Sequence, residues 1–220
     1  MKTAKIPATN QEFPIGKIVC LARNYAEHAR ELGNETPASP VLFMKPASAV
    51  ISDGEAVRIP AYSRECHYEV ELAVLIGKTA CKVSIDQAMA HVAGYGVAID
   101  MTLRDVQNQL KSKGLPWEIA KGFDTSCPLS PFVPAASVAD PHGLRLCLGV
   151  NGEARQDGTS ADMIHRVPQI VSYISGIFTL EPGDVILTGT PAGVGQVQAG
   201  DVMEAGISGV GTLKIPVSQG

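Results

Sequence analysis

Apolar positions along this chain fall mostly in short runs rather than in helical stripes. Ile18-Val19-Cys20-Leu21, Val41-Leu42-Phe43-Met44 and Leu72-Ala73-Val74-Leu75-Ile76 are continuous apolar stretches. Runs of that length, bounded by polar and turn residues, predict buried strands. Leu144 to Val150 alternates in part and meets Asn151-Gly152, a strong two-residue hairpin signal. Asp184-Val185-Ile186-Leu187-Thr188 follows the turn Glu181-Pro182-Gly183. Helical signals are fewer. Tyr25 to Leu32 predicts a helix that Gly33 can stop. Ser84-Ile85-Asp86-Gln87 has capping-box spacing for a helix running to about Val92. Thr102 to Lys113 predicts a helix ending at Gly114, and Pro168 to Ile174 another with Pro168 in its first turn. There is no internal repeat, no low-complexity linker and no regular strand-helix alternation. The pattern predicts a β-rich α+β domain with a mixed sheet or sandwich.

Composition narrows the class. A chain of 220 residues can bury one sizeable core. Its net charge of −4, with no basic cluster, argues against nucleic acid as a partner. No apolar run reaches the roughly 18 residues of a membrane span. Met1 to Pro7 lacks the apolar core of a signal peptide. Cys20, Cys66, Cys81, Cys127 and Cys147 are scattered, odd in number and without a Cys-x-x-Cys pair. That usage predicts free thiols in a reducing cytoplasm.

The candidate chemistry begins with three carboxylates. In His67-Tyr68-Glu69-Val70-Glu71, alternate residues of a strand share a face, so Glu69 and Glu71 point the same way, about 7 Å apart along the backbone. Two like charges leading into a buried strand repel and lose hydration. A hard divalent cation would compensate them, and Asp100 could complete such a site. Read alone, a Glu-x-Glu pair also fits a solvated strand edge. His67 lies on the same face and suits a supporting role better than a ligand's. His28 and Glu31, three apart on a helix, share a face, so Glu31 can hold the imidazole in one tautomer as a general base requires. An exposed charged helix would show the same spacing. Gly189-Thr190-Pro191-Ala192-Gly193 lacks the Gly-Lys-Ser/Thr of a phosphate loop, and no Gly-x-Ser-x-Gly elbow is present.

These motifs together resemble the fumarylacetoacetate hydrolase family, in particular its small, single-domain acylpyruvate hydrolase and oxaloacetate decarboxylase branch. The resemblance rests on Ala22-Arg23-Asn24-Tyr25-Ala26-Glu27-His28, Pro40 to Pro46, His67-x-Glu69-x-Glu71, Asp100 to Gln107, Gly114-Leu115-Pro116-Trp117, Ala120 to Asp124 and Leu187-Thr188-Gly189-Thr190-Pro191, in family order. It implies a mixed β-sandwich or roll of the family's C-terminal-domain type with a few peripheral helices. Residues 1–15 would form an N-terminal extension and 16–220 a single catalytic domain. It further implies that Glu69, Glu71 and Asp100 bind Mg²⁺ or Mn²⁺, which suits an all-oxygen ligand set. His28 and Glu31 would form a catalytic pair on a mobile lid, and Lys121 would stabilise developing negative charge. Arg23, Asn24, Lys45, Gln107 and Thr190 match substrate-contacting positions. From the residues alone, Asn24 could instead cap the lid helix, Lys45 could only line an entrance, and Arg104 could pair with Asp105 or Glu69.

The expected reaction is metal-assisted hydrolysis of a carbon-carbon bond in an acylpyruvate, a 2,4-dioxo acid, releasing pyruvate. Decarboxylation of oxaloacetate passes through the same enolate and is expected beside it. Fumarylpyruvate hydrolysis, isomerisation or decarboxylation in aromatic-acid breakdown, and oxaloacetate tautomerisation are the alternatives. A non-catalytic metal-binding domain would not need His28, Glu31 and Lys121 together. The resemblance also implies a homodimer.

Overall fold

The structure is a computed structural model and describes residues 2–31, 33, 35 and 37–220. The strand runs assemble into two main sheets. One has six strands, in the order Val133–Pro134, Val92–Ile99, Val70–Ile76, Val185–Leu187, Ile18–Ala22 and Val41–Lys45. All its pairs are antiparallel except Val185–Leu187 with Ile18–Ala22, which are parallel. The other has five strands, Glu153–Thr159, Arg145–Val150, Val202–Ile207, Gly211–Gln219 and Val57–Ile59. Its Asn151-Gly152 turn has positive φ at both residues (53° and 83°), as a type I′ hairpin requires. The fold is a β-rich α+β roll with a mixed sheet.

The central strand shows why its sequence is a continuous apolar run. Val70, Leu72, Val74 and Ile76 face one cluster, with Leu146, Leu148, Leu213 and Ile215 of the five-stranded sheet. Ala73 and Leu75 face a second cluster, with Ile18, Cys20, Leu129 and Phe132. A strand covered on both faces has no polar face to alternate with. The second cluster also takes Ala4 and Ile6 from the hairpin Thr3–Ile6 and Gln11–Pro14.

The helices are short: α1 (Ala26–Glu31), α2 (Ile85–Ala88), α3 (Arg104–Ser112), α4 (Glu118–Lys121) and α5 (Val167–Ser175). Three differ from expectation. Tyr25 is outside α1 because it bridges to Met163, while Leu32 lies outside the described residues. Gly33, at φ 66°, donates its N–H to the Arg30 carbonyl and closes that turn. The capping box at Ser84 does not form: Gln87 N–H donates to the Ser84 carbonyl, and α2 gives way to a 3₁₀ turn after Ala88. Thr102 and Leu103 are not helical. They pair with His67 and Cys66 in a small three-stranded sheet completed by Gly195–Val197. The helix therefore starts at Arg104, directly against the carboxylates.

Candidate metal centre and active-site cleft

Glu69 sits where the chain changes sheets. Cys66–Tyr68 belongs to the three-stranded sheet and Val70–Ile76 to the six-stranded one. Glu69 itself is in neither strand. Its carbonyl accepts the Asp100 N–H at 2.8 Å, which ties the two acidic segments together. Glu69, Glu71 and Asp100 are buried, and one carboxylate oxygen of each lies within 4.8 Å of the others.

Three buried cations face these three carboxylates. Lys121 Nζ donates to Glu69 Oε2 at 2.8 Å and to Asp100 Oδ2 at 2.5 Å. Arg104 Nη2 donates to Glu69 Oε1 at 2.5 Å, and Nη1 to Gln107 Oε1 at 2.7 Å. Arg104 thus pairs with Glu69 and not with Asp105. Lys45 Nζ lies 2.8 Å from Asp100 Oδ1 and donates to the Met101, Lys121 and Ser126 carbonyls. Lys45 is 1% exposed, so it supports Asp100 from inside and lines no entrance.

The electrostatics are uneven. Burial alone would raise the Glu69 carboxyl, but Lys121 and Arg104 outweigh it and hold the group well below the usual carboxylate range. Glu71 has no such partner. Burial first, then repulsion from Asp100 and Glu69, pushes it well above that range, and attraction to Lys121 together with its bond from Gly189 N–H only partly offsets this. Asp100 Oδ1 accepts no hydrogen bond despite the nearby ammonium. Three crowded carboxylates, one of them strained toward protonation, are a hard-cation donor set. The residues fit Mg²⁺ or Mn²⁺.

A small cleft opens beside this cluster, lined by Arg23, His28, Glu69, Arg104, Gln107, Lys111, Trp117 and Lys121. Its volume of about 30 Å³ is about that of one water molecule. His28 is buried, with Nδ1 3.3 Å from Glu31 Oε2. The Gly193 N–H donates to the same carboxylate at 3.1 and 3.3 Å and fastens the free end of α1. The other end is fixed by Asn24, whose amide donates to the His165 and Thr188 carbonyls and accepts from His165 N–H. Asn24 therefore anchors the lid rather than capping its helix. Arg23 before it adopts φ 59°, an uncommon conformation for a side-chain-bearing residue. Gly193 has φ 97°, and a Cβ there would meet the Arg155 carbonyl at 2.3 Å. Gly193→Ala should therefore cost about 1–3 kcal/mol and lower turnover by loosening the lid. Thermal melts and steady-state kinetics check both.

His28, Lys121, Gln107 and Arg23 thus converge with Glu69 of the triad on one cleft, whereas Asn24 and Lys45 are not among its lining residues. Thr190 is buried in the adjoining glycine-rich turn and accepts a bond from Gln156. His67 is half-buried, and burial first, then Arg104, lowers its pKa to about 4. Lys111 was not singled out from the sequence, and Trp117 entered only through the Gly114-Leu115-Pro116-Trp117 motif. Lys111 Nζ sits 5.3 Å from the Trp117 ring centre, a cation–π contact. Arg104, Gln107 and Lys111 follow the i, i+3, i+7 spacing of one helix face, and that spacing would have found Lys111.

Known proteins match this chain along nearly its whole length. The fumarylacetoacetate (FAA) hydrolase C-terminal family matches residues 17–218. The mitochondrial oxaloacetate tautomerase FAHD1 of Bos taurus is 53% identical, over 92% of this chain and 91% of its own. The Escherichia coli oxaloacetate tautomerase YcgM is 50% identical, over 90% and 91%. A crystal structure of fumarylpyruvate hydrolase from Pseudomonas aeruginosa, in complex with Mn²⁺ and pyruvate, superposes with a TM-score of 0.93 at 41% identity, covering 100% of this chain and 96% of that one. With that coverage and identity, this chain belongs to the fumarylacetoacetate hydrolase family.

Proposed function

We propose that this protein is a divalent-metal enzyme of 2-oxo-acid enolate chemistry whose main reaction is tautomerisation of oxaloacetate. That puts first a reaction the sequence analysis ranked behind acylpyruvate hydrolysis. The observation that carries it is a buried carboxylate triad that reaches, through Glu69, a cleft lined also by Lys121 and by His28 of the His28–Glu31 pair. Arg23, Arg104, Lys111 and Lys121 surround that cleft, which suits a dianion such as oxaloacetate. The names of the tautomerase relatives support the same reading.

The chain's own groups account for the proton transfer. Glu31 accepts from Nδ1–H of His28, which leaves Nε2 as the basic nitrogen. His28 Nε2 takes a proton from C3; the C–H electron pair becomes the C2–C3 double bond, and the 2-oxo oxygen gains the charge. Lys121 has three N–H donors, of which Glu69 and Asp100 use two, so the third is free for that oxygen. His28 then returns the proton to oxygen, giving the enol. Held by Glu69, Glu71 and Asp100, Mg²⁺ or Mn²⁺ would polarise the 2-oxo group as a Lewis acid. Acylpyruvate hydrolysis is the second reading, favoured by the fumarylpyruvate hydrolase of matching fold.

The deciding experiment follows enol absorbance of oxaloacetate, and pyruvate release from acetylpyruvate and fumarylpyruvate, with and without Mg²⁺ or Mn²⁺. Metal-dependent tautomerisation at the highest kcat/KM is expected. Failure to accelerate oxaloacetate interconversion with either metal would overturn the proposal. Lys111→Ala should raise KM for dianionic oxaloacetate several-fold more than for acetylpyruvate, and equal effects would remove Lys111 from charge selection. We further propose a homodimer in a cytoplasmic setting; light scattering at the mass of one chain would refute the dimer. No helix among the described residues is long and apolar enough to cross a membrane.

A further inference from the structure

Gln156 is a buried amide on the strand Glu153–Thr159, 1% exposed, with every hydrogen-bonding group engaged. Its Oε1 accepts the Val70 N–H at 3.0 Å, and its Nε2 donates to the Pro191 carbonyl at 2.9 Å and to Thr190 Oγ1 at 2.8 Å. Two of these partners are backbone groups of fixed polarity, so the amide cannot be turned round. Two consequences follow. Val70 is the first residue after the change of sheets at Glu69, so this bond closes the break that brings Glu69 and Glu71 together. Thr190 Oγ1 accepts from Gln156, so its own O–H is left to donate elsewhere.

We infer that Gln156 is a positioning residue that sets the metal-ligand geometry through Val70 and orients the Thr190 hydroxyl so that its O–H can donate toward a carboxylate of the substrate. The second half rests on the reading of Thr190 as a substrate contact. With one Thr190 lone pair engaged by Gln156, the Thr190 O–H is free to donate, and an ionised carboxylate, which only accepts, is a matching partner. Nothing in the residue's sequence context points to this, because its partners are 86, 34 and 35 residues away.

Two variants of the full chain separate the halves. Gln156→Met removes acceptor and donors together. Gln156→Glu keeps an acceptor for Val70 but turns the Thr190 hydroxyl inward, toward the new carboxylate. Folding of each is first checked by thermal melts. Mn²⁺ binding is then measured by calorimetry, and pyruvate binding on the Mn²⁺-loaded protein. Gln156→Met should weaken Mn²⁺ about 10-fold or more, as loss of groups that orient ligands does. Gln156→Glu should change Mn²⁺ affinity less than threefold while weakening pyruvate about tenfold. That pyruvate loss should vanish when Gln156→Glu is made in a Thr190→Val background, since the shared hydroxyl is already gone. Mn²⁺ and pyruvate affinities within twofold of wild type in both variants, with only the melting temperature lowered, would overturn the inference. So would a pyruvate loss that simply adds to that of Thr190→Val. Wild-type protein that binds neither probe would instead overturn the functional reading, and this inference with it.

Discussion

Glu71→Gln should abolish tight Mn²⁺ binding and activity while raising the melting temperature of the metal-free protein. Glu71 ionises in its ordinary range in the unfolded chain but well above that range in the folded one. The unfolded state therefore releases the proton first as pH rises, and Glu71 costs stability from that range upward. Glutamine removes the cost and still accepts the Gly189 N–H. The gain should be present at pH 7 and fade below about pH 4, where the unfolded carboxyl is also protonated. Asp100→Asn should do the opposite. It strips Lys45 and Lys121 of a shared buried counter-ion and should cost about 3–5 kcal/mol, because unpaired buried charge is expensive. Both variants lose metal; only their melting temperatures move in opposite directions. Melts of metal-free protein across pH, with calorimetric Mn²⁺ titration, make the comparison. A lower melting temperature for Glu71→Gln at pH 7 would contradict the proposed strain.

His28→Ala should lower oxaloacetate tautomerisation by about 10²–10⁴, the usual worth of a positioned general acid–base. Mn²⁺ affinity should stay near wild type, because His28 is not among the carboxylate cluster. Acylpyruvate hydrolysis needs an activated water and should fall by a similar factor. Oxaloacetate decarboxylation needs mainly enolate stabilisation and should keep more of its rate. Lys121→Ala should harm all three, since each passes through the same anion. Unchanged tautomerisation in His28→Ala would show that the proton moves through another group.

The carboxylate triad was legible because it depends on local rules: period-two strands, an apolar run, and an acid at the end of another strand. The helical face carrying Arg104 and Gln107 was legible for the same reason. What escaped depends on distant partners. A lysine reads as solvated wherever it stands, and the burial of Lys45 follows from carbonyls contributed by Met101, Lys121 and Ser126. The stretch around Glu69 reads as one strand, yet its two halves join different sheets, a choice made by Thr102–Leu103 and Gly195–Val197 on one side and Val92–Ile99 on the other. Ser84 had the local capping signature, but a backbone turn satisfied the same group first.

Glu31 does two things with one carboxylate: it steadies the His28 ring and it receives the Gly193 N–H that fastens α1. These duties cannot be separated in time. Were α1 to lift to admit a substrate, the imidazole would move away from the carboxylates below. On reseating, alignment of the imidazole and covering of the cleft would come in a single event. If turnover requires that opening, its frequency sets a ceiling that no improvement in the chemical step could raise.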